Sequence, residues 1–143
     1  MPGCTFSVSG LYFDVDAFWA TSPWQEYTDV YHRGDMPRIQ LPNRPKLLER
    51  SGFSFGISDY DEDCLQVQTQ DAIEFLTEER TELERLAAFP GVDQKVLDIG
   101  LFWWADTICQ SHVLPPELLR LAGEFGVSVV LSIYGVDRNR PPD

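Results

Sequence analysis

The composition of this 143-residue chain argues against several classes of protein. Its 11 basic residues are outnumbered by 23 acidic ones, and the net charge of −12 argues against nucleic-acid binding, which relies on Lys and Arg to neutralise phosphates. No apolar run is long enough to span a membrane, and residues 1–10 lack the features of a secretory signal. The three cysteines are odd in number and far apart, which argues against disulfides and predicts a cytoplasmic protein.

Positive charge is concentrated in residues 33–50. This segment holds five basic residues and two acidic ones, so it is net +3 and the rest of the chain is net −15. It also contains three prolines, which remove backbone donors and disfavour helix in the residues before them. We therefore predict a long irregular basic loop that closes onto the acidic body. The acidic body either steers a basic partner protein or only keeps the protein in solution.

The first half of the chain predicts three strands and a short helix. Alternating apolar residues indicate a strand over residues 5–13, and Asp residues that can cap a helix precede residues 15–21. Residues 53–58 and 65–69 predict two strands, and the acidic turn 59–64 between them favours a hairpin.

The second half predicts two long helices, each followed by a strand. Asp71 and Glu74 resemble a capping box that opens the first helix, and Pro90-Gly91 ends it. A strand is predicted over residues 96–104. The second helix begins at Pro115-Pro116, and Gly126 stands where a left-handed residue ends it.

The last strand, residues 127–134, is β-branched and nearly continuous in apolar character, which is typical of a central strand. Residues 136–143 are predicted to form a flexible tail. The element order is β-α-loop-β-β-α-β-α-β. We expect a single α+β domain over residues 1–143, with a mixed sheet of about five strands. The first six elements match a ferredoxin-like β-α-β-β-α-β plan, and an extra α-β pair follows them.

Two surface features are candidates for partner binding. Glu74, Glu78 and Glu82 recur every four residues on the first long helix, where like charges repel by about 0.2–0.5 kcal/mol per pair. Such a stripe is either a binding face or an ordinary solvated face. Trp103 and Trp104 are adjacent at a strand end, so their side chains point to opposite faces and only one fits easily into a single core layer.

No motif of known chemistry is present. Residues 59–63 carry Asp at alternate positions, as calcium loops do, but Cys64 and Gln70 occupy the positions that require Gly and Glu. A turn is the better interpretation. We predict no catalytic residue, no metal site and no cofactor.

The cysteines and histidines suggest two further kinds of site. A zinc site built from Cys4, Cys64, Cys109 and His112 would lack the closely spaced cysteine pair typical of structural zinc. Asp106, Cys109 and His112 recur every three residues and would share one face of a helical turn, where an imidazole activates a thiol. No nucleophile signature surrounds Cys109, and a packed cysteine beside a loop histidine is the simpler interpretation.

Several segments of the chain resemble one bacterial protein family. Phe13-Asp14-Val15-Asp16-Ala17-Phe18 with Arg33-Gly34-Asp35 resembles its N-terminal half. The rest is similar in these segments: Gln70-Asp71-Ala72-Ile73-Glu74-Phe75-Leu76, Phe89-Pro90-Gly91-Val92, Pro116-Glu117-Leu118-Leu119 with Gly126, and Leu131-Ser132-Ile133-Tyr134. These residues resemble the family known as domain of unknown function 4279 (DUF4279), over residues 8–134. The resemblance brings no established catalytic residues, and it gives a hint of immunity proteins. The Trp103-Trp104 pair departs from the more polar strand end that the family leads us to expect.

Three hypotheses about function follow. The first is a non-enzymatic cytoplasmic interaction protein of the immunity type that binds a basic protein. The second is a small-ligand-binding domain with an aromatic pocket near Trp19, Trp24 and Trp104. The third is a small thiol-dependent enzyme that uses Asp106, Cys109 or His112. A homodimer is compatible with each of them, because an exposed tryptophan serves an interface as well as a core.

Overall fold

The computed structural model describes residues 3–24, 28–38, 47–58, 64–104 and 106–135. They form five strands and four helices: β1 (Gly3–Gly10), α1 (Val15–Trp19), β2 (Asp29–Tyr31), β3 (Ser51–Gly56), α2 (Leu65–Glu78), α3 (Arg80–Ala88), β4 (Gln94–Phe102), α4 (Pro116–Glu124) and β5 (Ser128–Tyr134). None of these helices is both long and apolar enough to cross a membrane. Residues 59–63 of the predicted acidic turn 59–64 and the predicted tail 136–143 lie outside the described residues.

The sheet is mixed, and its strand order is β2-β3-β1-β4-β5. β1 lies at the centre, antiparallel to β3 and β4, and β2 pairs antiparallel with β3. β5 runs parallel to β4 at the far edge. The predicted class, α+β with a mixed sheet of about five strands, is confirmed.

The sequence predicted that the last strand is central, but the strand lies at an edge of the sheet. β5 pairs only with β4 in the described sheet. Its continuous apolar character does not reflect burial at the centre of a sheet. Both of its faces carry apolar side chains that are partly exposed. Val129 and Leu131 lie on the helix-covered side, and Val130 and Tyr134 on the other.

The middle of the chain corrects two further predictions. Residues 65–69 are not a hairpin strand but the first turns of α2. No Gly or Pro interrupts residues 64–78, and Gln68 is fully buried with its Nε2 donating to the Gly100 carbonyl of β4 at 2.8 Å. Besides β1, β3 pairs instead with β2, a three-residue strand that the sequence did not predict. The strands and helices follow the predicted order, but the basic segment 33–50 lies between β2 and β3 rather than before both strands, and the first long helix is divided into α2 and α3.

The division falls at Glu79, whose backbone leaves the helical region at φ −96° and ψ 23°. α3 then continues to Ala88 and ends before Pro90-Gly91, as predicted. Gly91 has a φ of +84°, and Tyr12 lies so close that a side chain at this position would collide with its backbone. Gly126 has a φ of +67° after α4, which confirms the predicted helix end.

All four helices contribute to one hydrophobic core against one face of the sheet. Alternation along the strands places the fully buried Phe6, Val8, Phe53, Leu97 and Ile99 on that face. The other face carries small polar residues such as Ser7 and Ser54. Near β3 the core is almost entirely aromatic, with members drawn from five separate segments: Phe6, Phe13, Phe18, Trp19, Trp24, Phe53, Phe55, Phe75 and Phe89.

Three arginines in the described parts of the basic segment, residues 33–38 and 47–50, contact the rest of the protein. The Arg33 guanidinium donates to the Leu11 carbonyl at 3.3 Å, and Arg38 pairs with Asp29 of β2 at 2.9 Å. Arg50 forms an ion pair with Asp93 and donates to Ser9 Oγ at 3.0 Å. Residues 39–46 lie outside the described residues.

Candidate functional site: an acidic cleft with an aromatic floor

A large cleft lies between the end of β3 and the exposed side of α2. Its volume is about 1160 Å³. Three aromatic residues and four acidic residues supply most of its lining: Trp24, Phe55, Phe75, Asp71, Glu74, Glu78 and Glu79. Its described lining contains no basic residue.

The floor of the cleft is aromatic and is fixed by the core beneath it. The Trp24 ring centroid lies 5.4 Å from that of Phe55 and 5.8 Å from that of Phe75, and the last two are 5.7 Å apart. Phe6, fully buried, contacts all three rings from behind. The rings are only partly buried, because one side of each rests on the core and the other borders the cleft.

The wall of the cleft is acidic because of helical geometry. Asp71, Glu74 and Glu78 are spaced by three and four residues on α2, so they share one face of the helix. Ser58 Oγ donates to Asp71 at 2.9 Å, and the Trp24 indole N–H donates to Glu79 Oε2 at 3.0 Å. The carboxylate at the helix break therefore sets the orientation of the floor tryptophan.

Two wall carboxylates are available to a ligand. Gln70 donates a long hydrogen bond of 3.3 Å to Glu74, and neither Glu74 nor Glu78 forms an ion pair within the described parts of the chain. Both residues are exposed. Carboxylates at a wall and aromatic faces at a floor attract the same kind of ligand, a cation.

The structure divides the predicted glutamate stripe. Glu74 and Glu78 line the cleft, but Glu82 does not continue their row, because the helix breaks at Glu79. Glu82 is 8% exposed and pairs with Arg85 at 3.0 Å. Arg85 in turn lies over the Phe18 ring at 4.1 Å and donates to the Phe18 carbonyl, so this pair belongs to the structural core.

Trp103 and Trp104 lie away from the cleft, and the expectation that one of them is buried is wrong. β4 ends at Phe102, so strand alternation does not govern either side chain. They are 36% and 49% exposed. The Trp103 amide donates to the Tyr134 carbonyl at 2.8 Å, and the Trp104 ring lies 5.1 Å from that of His112.

The residues considered for thiol chemistry do not form a catalytic arrangement. Residues 106–115 contain no helix that would align Asp106, Cys109 and His112. Cys109 Sγ contacts Ser111 Oγ at 3.8 Å, whereas His112 Nε2 lies 2.7 Å from Gln110 Nε2. Cys4 is fully buried, and this burial raises the pKa of its thiol to about 12.

The cysteines and histidines do not converge in the described part of the chain either. There, no three His, Cys, Asp or Glu side chains are grouped so that they can hold a metal ion.

The aromatic floor is the part of the site that sequence reasoning missed. The sequence predicts an aromatic pocket around Trp24, but with Trp19 and Trp104 as its companions. Trp19 instead packs on Phe53 at 4.8 Å within the core. Trp24, Phe55 and Phe75 come from a loop, a strand and a helix, and no local pattern links them.

Comparison with known proteins gives no further guide to this site. No protein-family model, no curated protein and no solved structure matches the chain. The resemblance to DUF4279 therefore stays a prediction, and the site is interpreted from its own chemistry.

Proposed function

We propose that this chain is a non-enzymatic interaction module of the immunity-protein type, whose acidic cleft holds a basic segment of a partner protein. The observation that carries the proposal is the combination of Glu74 and Glu78 with the floor of Trp24, Phe55 and Phe75 in one cleft. Membership of the DUF4279 family and a cytoplasmic location are parts of the same proposal. The odd, dispersed cysteines of the sequence support that location.

A guanidinium or ammonium group suits this cleft better than a neutral one. A cation over an aromatic face gains about 0.5–2 kcal/mol, depending on how far it is desolvated. A carboxylate beside it adds a charge-assisted hydrogen bond, which is about twice as strong as a neutral one. Arg and Lys side chains satisfy both requirements at once.

The size of the cleft favours a protein segment over a single small molecule. Its volume of about 1160 Å³ lies above the range of about 300–1,000 Å³ that is usual for small-molecule pockets. The charge of the whole chain acts in the same direction. A net charge of −12 accelerates encounters with a basic protein, and salt weakens that effect.

The experiment uses a fluorescein-labelled octa-arginine peptide as its probe, with binding followed by fluorescence anisotropy. The double variant Glu74→Gln/Glu78→Gln removes two charges from the cleft. We expect the affinity to fall at least about tenfold at low salt, because the nearest carboxylates are lost. The matched control is Glu84→Gln/Glu117→Gln, which removes two charges from exposed positions outside the cleft.

The control variant distinguishes binding in the cleft from attraction by the overall negative charge. We expect it to change the affinity less than about twofold, since both residues lie on other surfaces. Equal weakening by the two double variants would show that the peptide senses only overall charge, and it would contradict the proposal.

A small cationic ligand is the second candidate, and the three-ring floor favours it because aromatic cages of this kind bind ammonium groups. Thermal-shift titrations with spermidine and with agmatine test it. A saturable rise in Tm that Glu74→Gln/Glu78→Gln abolishes, together with weak octa-arginine binding, would favour the small ligand.

A further inference from the structure

The free edge of β5 presents backbone groups to solvent. The Trp103 amide donates to the Tyr134 carbonyl, so the N–H and C=O groups of Tyr134 point toward β4. Because these directions alternate along a strand, those of Val129, Leu131 and Ile133 point away from the sheet. The outer side of β5 is therefore a row of donors and acceptors with no strand opposite it in the described sheet.

This edge lacks the features that usually protect an edge strand. Residues 128–134 contain no charged residue, no Pro and no Gly, in a chain with 23 acidic residues. Soluble proteins commonly guard such edges with charges, prolines or short strands. Seven large apolar side chains on and beside the strand are 36–49% exposed: Phe102, Trp103, Trp104, Val130, Leu131, Ile133 and Tyr134.

The exposed area is sufficient for a modest interface. Four of these side chains are aromatic, and at exposures of about 40% they offer roughly 300 Å² together, given about 150–250 Å² for each ring system. The three aliphatic side chains bring the total to on the order of 500 Å². An interface that covered this area on both copies would bury on the order of 1,000 Å², the lower limit for a specific interface.

We propose that β5 pairs antiparallel with β5 of a second copy of this chain, joining the two sheets into one of ten strands. Charge selects this occupant. A basic or acidic partner would gain no ion pair from an uncharged edge, whereas two copies at −12 each bring no like charges into direct contact when they meet through it. A two-fold axis beside Leu131 makes the contact self-complementary, with the outward groups of Val129 opposite those of Ile133.

Sedimentation velocity across about 1–200 μM protein tests the pairing, at concentrations where weak dimers form. We expect the wild type to dimerise, and Leu131→Lys and Leu131→Glu each to stay monomeric because like charges meet at the axis. An equimolar mixture of the two variants should dimerise again. The matched control is Val67→Lys, at an exposed apolar position on α2 with similar exposure (39%), and it should dimerise like the wild type.

A second variant addresses the backbone directly. Leu131→Pro removes an outward N–H and leaves the hydrogen bonds to β4 in place, so it should abolish the dimer while circular dichroism shows a folded chain. If a variant does not fold, hydrogen exchange of the wild type replaces it, with protection at residues 129, 131 and 133 expected to rise with protein concentration. A monomeric wild type at the highest concentration, or a dimer that Leu131→Lys leaves intact, overturns the proposal.

Discussion

The two edges of the sheet differ in length, charge and cover. The β2 edge has three residues, and one of them, Asp29, pairs with Arg38. Residues 35–38 lie beside this edge and line a cavity of about 350 Å³. The β5 edge has seven residues, no charge and apolar side chains exposed on both faces. Protected edges are typically short and charged, as β2 is. The β2 edge is thus protected within one chain, whereas the β5 edge is suited to pairing with an additional strand.

The two edges also rest on different parts of the core. Beside β2, Phe53 is fully buried and stacks on Phe18 at 5.5 Å with an interplanar angle of 7°. Beside β4, Leu131 and Ile133 are 36% and 41% exposed, although they face the helical layer. The core is therefore closed by rings near β2 and left partly open near β5.

The largest expected effect compares truncations at the two edges. Phe53→Ala leaves a cavity among stacked rings and should lower the free energy of unfolding by about 3–5 kcal/mol. Ile133→Ala removes a side chain that is 41% exposed and should cost less than about 1 kcal/mol. Urea denaturation at low protein concentration, followed by circular dichroism, measures both. Similar losses would mean that the β5 side is as tightly packed as the β2 side.

An intermediate effect compares two glycines. A side chain at Gly52 of β3 would collide with the Val8 carbonyl and lie 2.6 Å from Tyr31 Oη, so Gly52→Ala should destabilise the protein by about 1–3 kcal/mol. Gly135 follows β5, and a Cβ at this position would meet no heavy atom within 4 Å, so Gly135→Ala is the matched control with little expected effect. Thermal unfolding of the two variants checks the difference. A neutral Gly52→Ala would show that β1 and β2 both move aside at no cost.

The smallest effect concerns the ion pair that closes the β2 side. His32 Nε2 lies 2.9 Å from Asp16, and the hydrogen bond to this carboxylate raises the pKa of His32 above its ordinary value of 6.5. Its stabilising contribution is therefore complete below pH 6.5 and is lost as the pH rises through the raised pKa. Because His32 is substantially exposed, the contribution should be no more than about 0.5 kcal/mol.

Comparison of the wild type with His32→Gln, near pH 5 and again near pH 9, measures this contribution. The difference in free energy of unfolding should be present at the lower pH and absent at the higher. Asp16→Asn should remove most of this difference and shift the pKa of His32, followed by NMR, toward 6.5, while Asp35 at 3.4 Å retains a smaller share. A difference that grows with pH would contradict the role of this pair.

Local patterns in the sequence predicted the class of the fold, and tertiary contacts decided the exceptions. The turn at Pro90-Gly91 and the helix end at Gly126 are fixed by backbone geometry, so their residues predict them. Apolar and polar side chains alternate over residues 65–69 as they do in a strand, but these residues form helix. There the Gln68 side chain donates to a carbonyl of β4, some thirty residues later in the chain, and such a tertiary contact overrides the local pattern. The position of β5 in the sheet depends on pairing, which its own apolar character does not encode.

The candidate site shows the same division. The wall of the cleft could be predicted, since Glu74 and Glu78 lie one helical turn apart on a helix of regular spacing. Glu82 leaves this row because the helix breaks at Glu79. No Gly or Pro stands at this position, so the sequence gives no signal of the break. The floor depends on three segments meeting over Phe6, and such a meeting is set by the whole core.

The four tryptophans are divided equally between the two edges, which gives the protein its own optical reporters. Trp19 and Trp24 lie in the aromatic core near β2, and Trp103 and Trp104 lie in partly exposed positions beside β5. Replacing either pair with Phe leaves fluorescence from only one edge. Emission from the Trp19-Trp24 pair then reports on ligands in the cleft through Trp24, and a blue shift of the Trp103-Trp104 pair reports on the arrival of a second chain. The two events can thus be followed separately in two unlabelled variants.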